Sequence, residues 1–246
     1  MLPTDVKVDA QNLERPRLHG RGLFPAQMLP TMRWMMLTAS FVSLTQCVST
    51  NQVAKRTRCP GSVHHQGKGY GVVELDGHCW MAEDLASHQF LNGDSIPMGF
   101  KDQDWHAATS SAAEQVGHAV LYNWYAVTDS RGLCPQGWHV PSTTDWQSLI
   151  DACGGEGHAG ASLKSKAGWD ERGNGTNKSG FAAKPSGSKE FSGYVSGQGC
   201  YGYWWSSTPA PPYVSTVELN CLDNQAEIRE DYDTRDGFSV RCIKVP

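Results

Sequence analysis

The cysteines are the residues of this sequence with the most distinctive chemistry. There are eight, and the seven that follow the first are widely spaced: the closest pair, Cys134 and Cys153, is 19 positions apart. A zinc site usually takes close pairs such as Cys-x-x-Cys, so this spacing argues against bound zinc and favours disulfide bonds. Seven is an odd number, so one thiol must stay free or pair with another chain, and sequence alone does not say which.

Other candidates for catalysis or metal binding have simpler explanations. His139 has no nucleophile or carboxylate partner at a recognisable spacing, so a packing role is favoured over a catalytic one. Asp231, Asp233 and Asp236 offer oxygen ligands for Ca²⁺, but the Asp-x-Asp-x-Asp-Gly order and the downstream Glu of a calcium loop are absent. We therefore expect no metal site and no cofactor.

Aromatic residues towards the C-terminus are the best candidates for ligand binding. Flat apolar rings with polar edges suit sugars and peptide surfaces. Strand alternation within residues 201–207 places Tyr203 and Trp205 on one face and Trp204 on the other, so at least one of these sets belongs to the core. The predicted ligand-binding residues are Tyr203, Trp204, Trp205, Tyr213, Asn224 and Tyr232.

The composition indicates one folded domain and excludes one class of partner. The chain has 246 residues and a formal net charge of -4, whereas a nucleic-acid backbone requires a basic surface, so no nucleic-acid partner is expected. The nine Trp, eight Tyr and seven Phe are sufficient to fill one core. No run approaches the roughly 18 apolar residues that a membrane-spanning helix needs.

The N-terminal part has the pattern of an export signal. Residues 1–27 are polar and show no periodicity, whereas residues 28–47 combine Arg33, a short apolar run and a terminal Cys47. This order is typical of a secretory signal and is similar to a bacterial lipoprotein signal, in which the cysteine is lipidated. Gln46 departs from the small residue that is usual before that cysteine.

The chain is therefore expected to have three parts. Residues 1–47 are interpreted as a non-structural extension followed by the signal segment, residues 48–68 as a flexible tether, and residues 69–246 as the folded domain. Lipidation at Cys47 would make the membrane a partner. The expected location is the cell envelope, at the outer membrane or the cell surface.

Local patterns predict the first elements of the folded part. Two strand-like segments flank Asp76 and Gly77, a pair that readily supplies the positive φ angles of a hairpin turn. A short helical turn is expected at 81–86 and a long surface loop at 101–117. Segment 119–127 is apolar without clean alternation, so strand and buried helix stay open.

One helix has the clearest signal in the sequence. Ser142 and Asp145 have the spacing of a capping box, and Trp146, Leu149 and Ile150 then recur at helical intervals along one face. The chain beyond it reads as a series of strands separated by turns. One capped helix with an antiparallel sheet and many loops indicates an α+β domain.

Six blocks of sequence between residues 70 and 246 point to a family. They are Trp80–Leu85, Leu121–Val127, Gly132–Ser142 with Asp145 and Trp146, Ser179–Phe181, Gly202–Thr208 and Gly237–Cys242. In this order they resemble the Fibrobacter succinogenes major paralogous domain. That family is similar in turn to C-type-lectin-like folds, including formylglycine-generating sulfatase-modifying domains and the variable proteins of diversity-generating retroelements. The resemblance implies antiparallel strands, one or two short helices and long irregular loops.

The resemblance also implies a disulfide and a function. It pairs Cys134 with Cys242, and we expect Cys200 to pair with Cys221. The expected function is that of a non-enzymatic envelope protein whose domain binds an extracellular glycan or protein. The alternatives are a formylglycine-generating type of oxidase and an envelope assembly component without its own ligand. The oxidase needs two reactive cysteines a few residues apart near the C-terminus, and the spacing of Cys221 and Cys242 does not match.

Overall fold

The computed structural model describes residues 59–244, so the predicted signal segment and Cys47 lie outside the described residues. The described part is an α+β domain of short helices and mainly antiparallel strands. Its elements, in chain order, are β1 (Ser62–His65), β2 (Lys68–Leu75), β3 (His78–Met81), α1 (Asp102–His106), β4 (Ala113–Val116), β5 (Ala119–Tyr122), α2 (Trp124–Val127), β6 (Trp138–His139), α3 (Thr143–Ala152), α4 (Ala159–Leu163), β7 (Ser188–Lys189), β8 (Val195–Ser196), β9 (Tyr201–Ala210), β10 (Tyr213–Asn220), β11 (Glu227–Tyr232) and β12 (Ile243–Lys244).

The largest sheet brings the start and the end of the described chain together. Its strand order is β1-β2-β3-β12-β6, and Ile243 of β12 lies opposite Trp80 of β3 on one side and His139 of β6 on the other. The predicted hairpin is confirmed, since β2 pairs with β3 around Asp76 and Gly77, whose φ angles are 51° and 73°. The last strand is thus held between elements that are far apart in sequence.

The prediction of a tether over residues 48–68 is wrong for its C-terminal part. Strand β1 pairs in antiparallel register with β2, and Cys59 forms a disulfide with Cys79. An edge strand needs few apolar residues, because only alternate side chains face the core: Val63 packs against the core and His65 is buried. The polar composition of this segment therefore concealed a strand.

A three-stranded sheet, β11-β10-β9, carries the two adjacent tryptophans of the C-terminal region. Trp205 packs against Phe238 with 4.6 Å between ring centroids, and Trp204 packs on the opposite side against Phe181 at 6.3 Å. Both indoles are fully buried. Strand β9 is therefore covered on both faces at this point, and the core is divided into two clusters by the strand.

Helix α3 confirms the prediction made from its sequence. The Ser142 hydroxyl accepts a hydrogen bond from the Asp145 amide, and the Asp145 carboxylate accepts one from the Ser142 amide at 2.8 Å, which completes the capping box. Trp146, Leu149 and Ile150 are each 1% exposed. The Trp146 indole also donates to the carbonyl of Trp205, which fixes the helix against β9.

Three other local predictions need correction or completion. No helical turn forms at 81–86, where the chain is irregular. The segment 101–117 is not simply a surface loop, because it contains α1 and β4, and the single indole of Trp105 is fully buried. Segment 119–127 combines both open alternatives, a strand followed by a short helix. A single large side chain is enough to anchor a polar segment, and periodicity over so few residues does not reveal it.

The cysteines form three disulfides within the described residues. Cys134 pairs with Cys242, at a Cα–Cα distance of 5.9 Å, and Cys200 pairs with Cys221, so both expected pairs are present. The third bond is the Cys59–Cys79 link described above, which leaves Cys153 as the half-buried free thiol. None of the described helices is long and apolar enough to cross a membrane.

We expect that Trp146→Ala will lower the free energy of unfolding by about 3 to 5 kcal/mol, because it removes a large buried side chain and leaves a cavity. The matched control is Gln147→Ala on the exposed side of the same helix, which should change it by less than about 0.5 kcal/mol. Urea denaturation of both variants measures the difference. Equal stabilities would mean that α3 does not pack as described.

Candidate functional site

A groove of about 920 Å³ lies beside the large sheet and is the best candidate for a functional site. Its floor is formed by the loop 82–86, which follows β3, and by Arg241, which precedes β12. Its walls come from the β4–β5 turn at 116–119 and from the segments 167–168 and 182–186. Ligand sites in proteins commonly have volumes of about 300 to 1,000 Å³, so the groove has the size of a binding site.

A buried ion pair occupies the floor of the groove. Arg241 is fully buried, and its Nε donates to Oδ1 of Asp84 at 2.9 Å while Nη2 donates to the same oxygen. Trp204 Nε1 also donates to this oxygen, at 2.7 Å. The remaining guanidinium nitrogen, Nη1, donates to the carbonyl of Phe181, and the guanidinium lies 3.9 Å from the Phe181 ring centroid. Every charged group of the floor thus has a partner, which burial of charge requires.

The sheet positions both members of this pair. Leu85 donates its backbone N–H to the carbonyl of Val240 at 2.8 Å, and Met81 donates to the carbonyl of Cys242 at 3.0 Å. These bonds continue the β3–β12 pairing beyond the strands and bring the loop of Asp84 against the residues around Arg241. The backbone on either side of Asp84 is therefore held by hydrogen bonds, which limits how far its carboxylate can move from Arg241.

The groups that remain available to a ligand lie above this pair. All three hydrogen bonds to Asp84 end on Oδ1, and among the described residues nothing donates to Oδ2. Lys184 and His118 are exposed on two walls, and neither side chain has a hydrogen bond or ion pair within residues 59–244. Lys68 Nζ lies 4.0 Å from a carboxylate oxygen of Glu83, and an exposed ion pair of this kind contributes little to stability.

The structure separates the aromatic residues predicted to bind a ligand. Trp204 and Trp205 are 0% exposed, so the prediction is wrong for both, because their rings fill the core instead. Tyr203 and Tyr232 are half-buried and contact each other, with 5.7 Å between their ring centroids. Tyr213 is exposed at the N-terminal end of β10. Asn224 is exposed in the loop that follows the C-terminal end of this strand.

These six residues therefore do not form one site. Strand β10 has eight residues, so its ends are about 25 Å apart, and Tyr213 and Asn224 cannot contact the same small ligand. The Tyr232 hydroxyl donates to Glu218 at 3.1 Å, and burial raises the pKa of this glutamate. Burial and the nearby Glu218 raise the pKa of Tyr203 as well. Tyr203 and Tyr232 therefore pack against each other, and Tyr232 is hydrogen-bonded to Glu218, so the two rings do not form an open surface for a ligand.

The residues considered for catalysis or Ca²⁺ binding make local structural contacts instead. His139 Nε2 lies 3.6 Å from the carboxylate of Asp145, which is already engaged in the helix cap. Asp233 is paired with Arg235 at 2.7 Å. Asp236 is buried and accepts hydrogen bonds from the amides of Phe191 and Asp233. Within residues 59–244 no group of three or more His, Cys, Asp or Glu side chains is arranged to hold a metal ion.

Sequence analysis missed the residues that build the groove. Asp84 and Arg241 both lie inside blocks that carry the family resemblance, but neither is among the predicted site residues. A signal was present, because Arg241 is a charged residue between the apolar Val240 and Cys242, and a charge in such a strand requires a buried partner. The sequence does not show which residue is that partner, because Asp84 and Arg241 are 157 positions apart.

The fold and the groove define a small α+β domain cross-linked by disulfides, with a polar floor in its main groove. The model of the Fibrobacter succinogenes major domain matches residues 73–244, and the chain belongs to this family. The match includes Asp84, Arg241 and Lys184, whereas strand β1 and Cys59 precede it. Comparison with curated proteins and with solved structures found no match.

We expect the stability of the domain to depend on pH through Asp236. Burial raises the pKa of Asp236 to about 6, above the value near 3.9 of an unfolded chain, so the folded state binds more protons between these values. The free energy of unfolding should therefore fall by up to about 3 kcal/mol from this group as the pH rises from 4 to 7. Denaturation curves over this range measure the effect.

The comparison variant is Asp236→Asn, which cannot titrate and keeps one acceptor for the two amides. Its free energy of unfolding should change less with pH than that of the original chain, and the difference should be concentrated between pH 4 and 6. Parallel pH profiles for the two chains would show that Asp236 does not carry the dependence.

Proposed function

We propose that this chain is an exported, lipid-anchored protein of the bacterial cell envelope whose C-type-lectin-like domain binds an extracellular glycan without catalysing a reaction. The groove floored by Asp84 and Arg241 is the proposed binding site. The single observation that carries the proposal is the groove itself, which combines ligand-sized volume with unpaired polar groups above a fixed ion pair. Short helices, antiparallel strands and long loops are compatible with the C-type-lectin-like class.

The disulfides support export. Disulfides form and persist in oxidising compartments and are rare in the cytosol, and this domain has three within its described residues. Cys59 is one of the bonded residues, so the chain is cross-linked to the domain only 12 positions after the proposed lipidation site at Cys47. A lipid anchor there would place the domain close to the membrane surface.

Two observations support a binding role over the oxidase alternative. An oxidase of the formylglycine-generating type requires two reactive cysteines close together, but Cys221 and Cys242 are bonded to Cys200 and Cys134 respectively. In the groove, the partly exposed carboxylate of Asp84 and the buried guanidinium of Arg241 neutralise each other. A charge held in such a pair is suited to orienting a ligand rather than to transferring a proton to it.

A groove-filling variant tests the binding site. Ala167 is exposed and lines the groove, so Ala167→Trp places an indole in the space of the ligand. Ala152→Trp is the matched control, because Ala152 is also exposed but lies at the end of α3, outside the groove lining. We expect the original chain and the control to bind the same glycans on an array, and Ala167→Trp to bind none of them. Equal binding by the two variants, or no glycan bound by the original chain, would refute the proposed site.

Membrane attachment is tested separately. Stable anchoring takes more than one acyl chain, which lipoprotein processing supplies at a single cysteine. A Cys47→Ala chain should therefore move to the soluble fraction, whereas the original chain stays with membranes. Cys153→Ala is the matched control, since Cys153 is the free thiol of the described domain. Membrane association of the Cys47→Ala chain equal to that of the control would contradict lipidation at Cys47.

A further inference from the structure

The charges that line the groove are not balanced when no ligand is present. Arg241 is neutralised by Asp84, and Lys68 faces Glu83. Lys184 remains as a full positive charge without an acidic partner among the described residues. A groove with an excess of positive charge favours an anionic ligand, because field lines in a cleft raise the local concentration of the opposite charge.

The backbone around Lys184 is fixed although its side chain is free. Ala183 donates its N–H to the carbonyl of Leu163 at 2.9 Å, and Ser186 donates to the carbonyl of Lys184 at 3.0 Å. Pro185 follows directly and restricts the backbone of Lys184 to extended conformations. The root of the side chain is therefore held in place, so binding an anion there orders only the side chain itself.

The turn that carries His118, another part of the groove lining, is held in a similar way. His118 lies in the turn between β4 and β5, and Gln115 spans this turn by donating from Nε2 to the carbonyls of Gly117 and Ala119, at 3.0 and 2.9 Å. The imidazole has a ring nitrogen that can donate a hydrogen bond to a ligand in either tautomer. Two walls of the groove thus present donors from fixed backbones.

The floor presents an acceptor instead. Oδ2 of Asp84 receives no hydrogen bond from residues 59–244, while Oδ1 receives three donated hydrogen bonds. The guanidinium of Arg241 is bonded to this same carboxylate, so a second cation from the ligand would be repelled. The donor that fits Oδ2 is therefore neutral, and a hydroxyl group satisfies this condition.

We infer that the groove is specific for glycans that carry a carboxylate, with the carboxylate bound by Lys184 and a neighbouring sugar hydroxyl donating to Oδ2 of Asp84. The chemical class is that of hexuronates and the acidic polysaccharides built from them. This inference rests on the proposed function of the groove and adds the charge of the ligand to it. Binding is non-covalent and requires no co-reactant.

The test compares acidic glycans with their neutral esters. Oligosaccharides of galacturonic, glucuronic and mannuronic acid are each titrated calorimetrically beside their methyl esters, which keep the hydroxyls and lose the charge. We expect at least one acid to bind about 3-fold or more tightly than its ester, since an ion pair with an exposed lysine is weaker than one that is buried. The preference should decrease as salt is raised, because Lys184 is exposed.

Variants of the groove test whether Lys184 causes the preference for the acid. Lys184→Gln should lower the affinity for the acid to that for the ester, whereas Lys184→Arg should keep most of the preference. The control Lys178→Gln, at another exposed lysine, should leave the preference unchanged. If no acid is preferred to its ester, or if Lys184→Gln has no effect, the inference is wrong. If the inference fails in this way but Ala167→Trp still abolishes the binding of neutral glycans, the groove remains the proposed binding site and only its preference for acidic glycans is wrong. When Ala167→Trp leaves all binding intact, both are wrong.

Discussion

A fully buried arginine is the constraint on which much of this structure depends. The guanidinium of Arg241 is removed from water two residues before the last strand, β12, and an unpaired charge at this buried position would be strongly destabilising. It is accommodated because Asp84, the carbonyl of Phe181 and the Phe181 ring together satisfy it. Trp204 donates to the same carboxylate, so the pair links the loop after β3, the final strand and the three-stranded sheet. Each of these elements forms or supports the groove.

Two disulfides reinforce the same region, and Cys134, Cys242 and Cys79 are buried in the core. Cys242 is adjacent to Arg241 in sequence and is bonded to Cys134 across 108 positions, which restricts the unfolded chain and contributes on the order of 4 to 5 kcal/mol in the chain-entropy model. Cys79, at the middle of the large sheet, is bonded to Cys59 ahead of β1. The floor of the groove is thus built on a sheet cross-linked at both ends of the described chain. Rigid support of this kind suits a site that binds by preorganised polar groups.

The sequence predicted what is encoded locally. The capping box at Ser142, the apolar face of α3 and the Asp76-Gly77 hairpin each depend on residues within a few positions of one another, and all three are present. The strand at 62–65 was not predicted because its composition is polar. The groove was not predicted because it is assembled from segments far apart in the chain. The burial of both tryptophans of β9 also depends on which elements cover each face of the sheet, which alternation alone does not determine.

A double-mutant cycle on Asp84 and Arg241 tests the central claim most directly. Asp84→Asn leaves the fully buried guanidinium without its counter-charge and should lower the free energy of unfolding by about 3 to 5 kcal/mol. Arg241→Met leaves a carboxylate whose side chain is 13% exposed without its counter-charge, so its loss should be smaller. The double variant has neither charge and should lose much less than the sum, with a coupling energy of at least about 2 kcal/mol. Single effects that add to within about 0.5 kcal/mol would show that the two residues are independent and that the ion pair does not organise the groove.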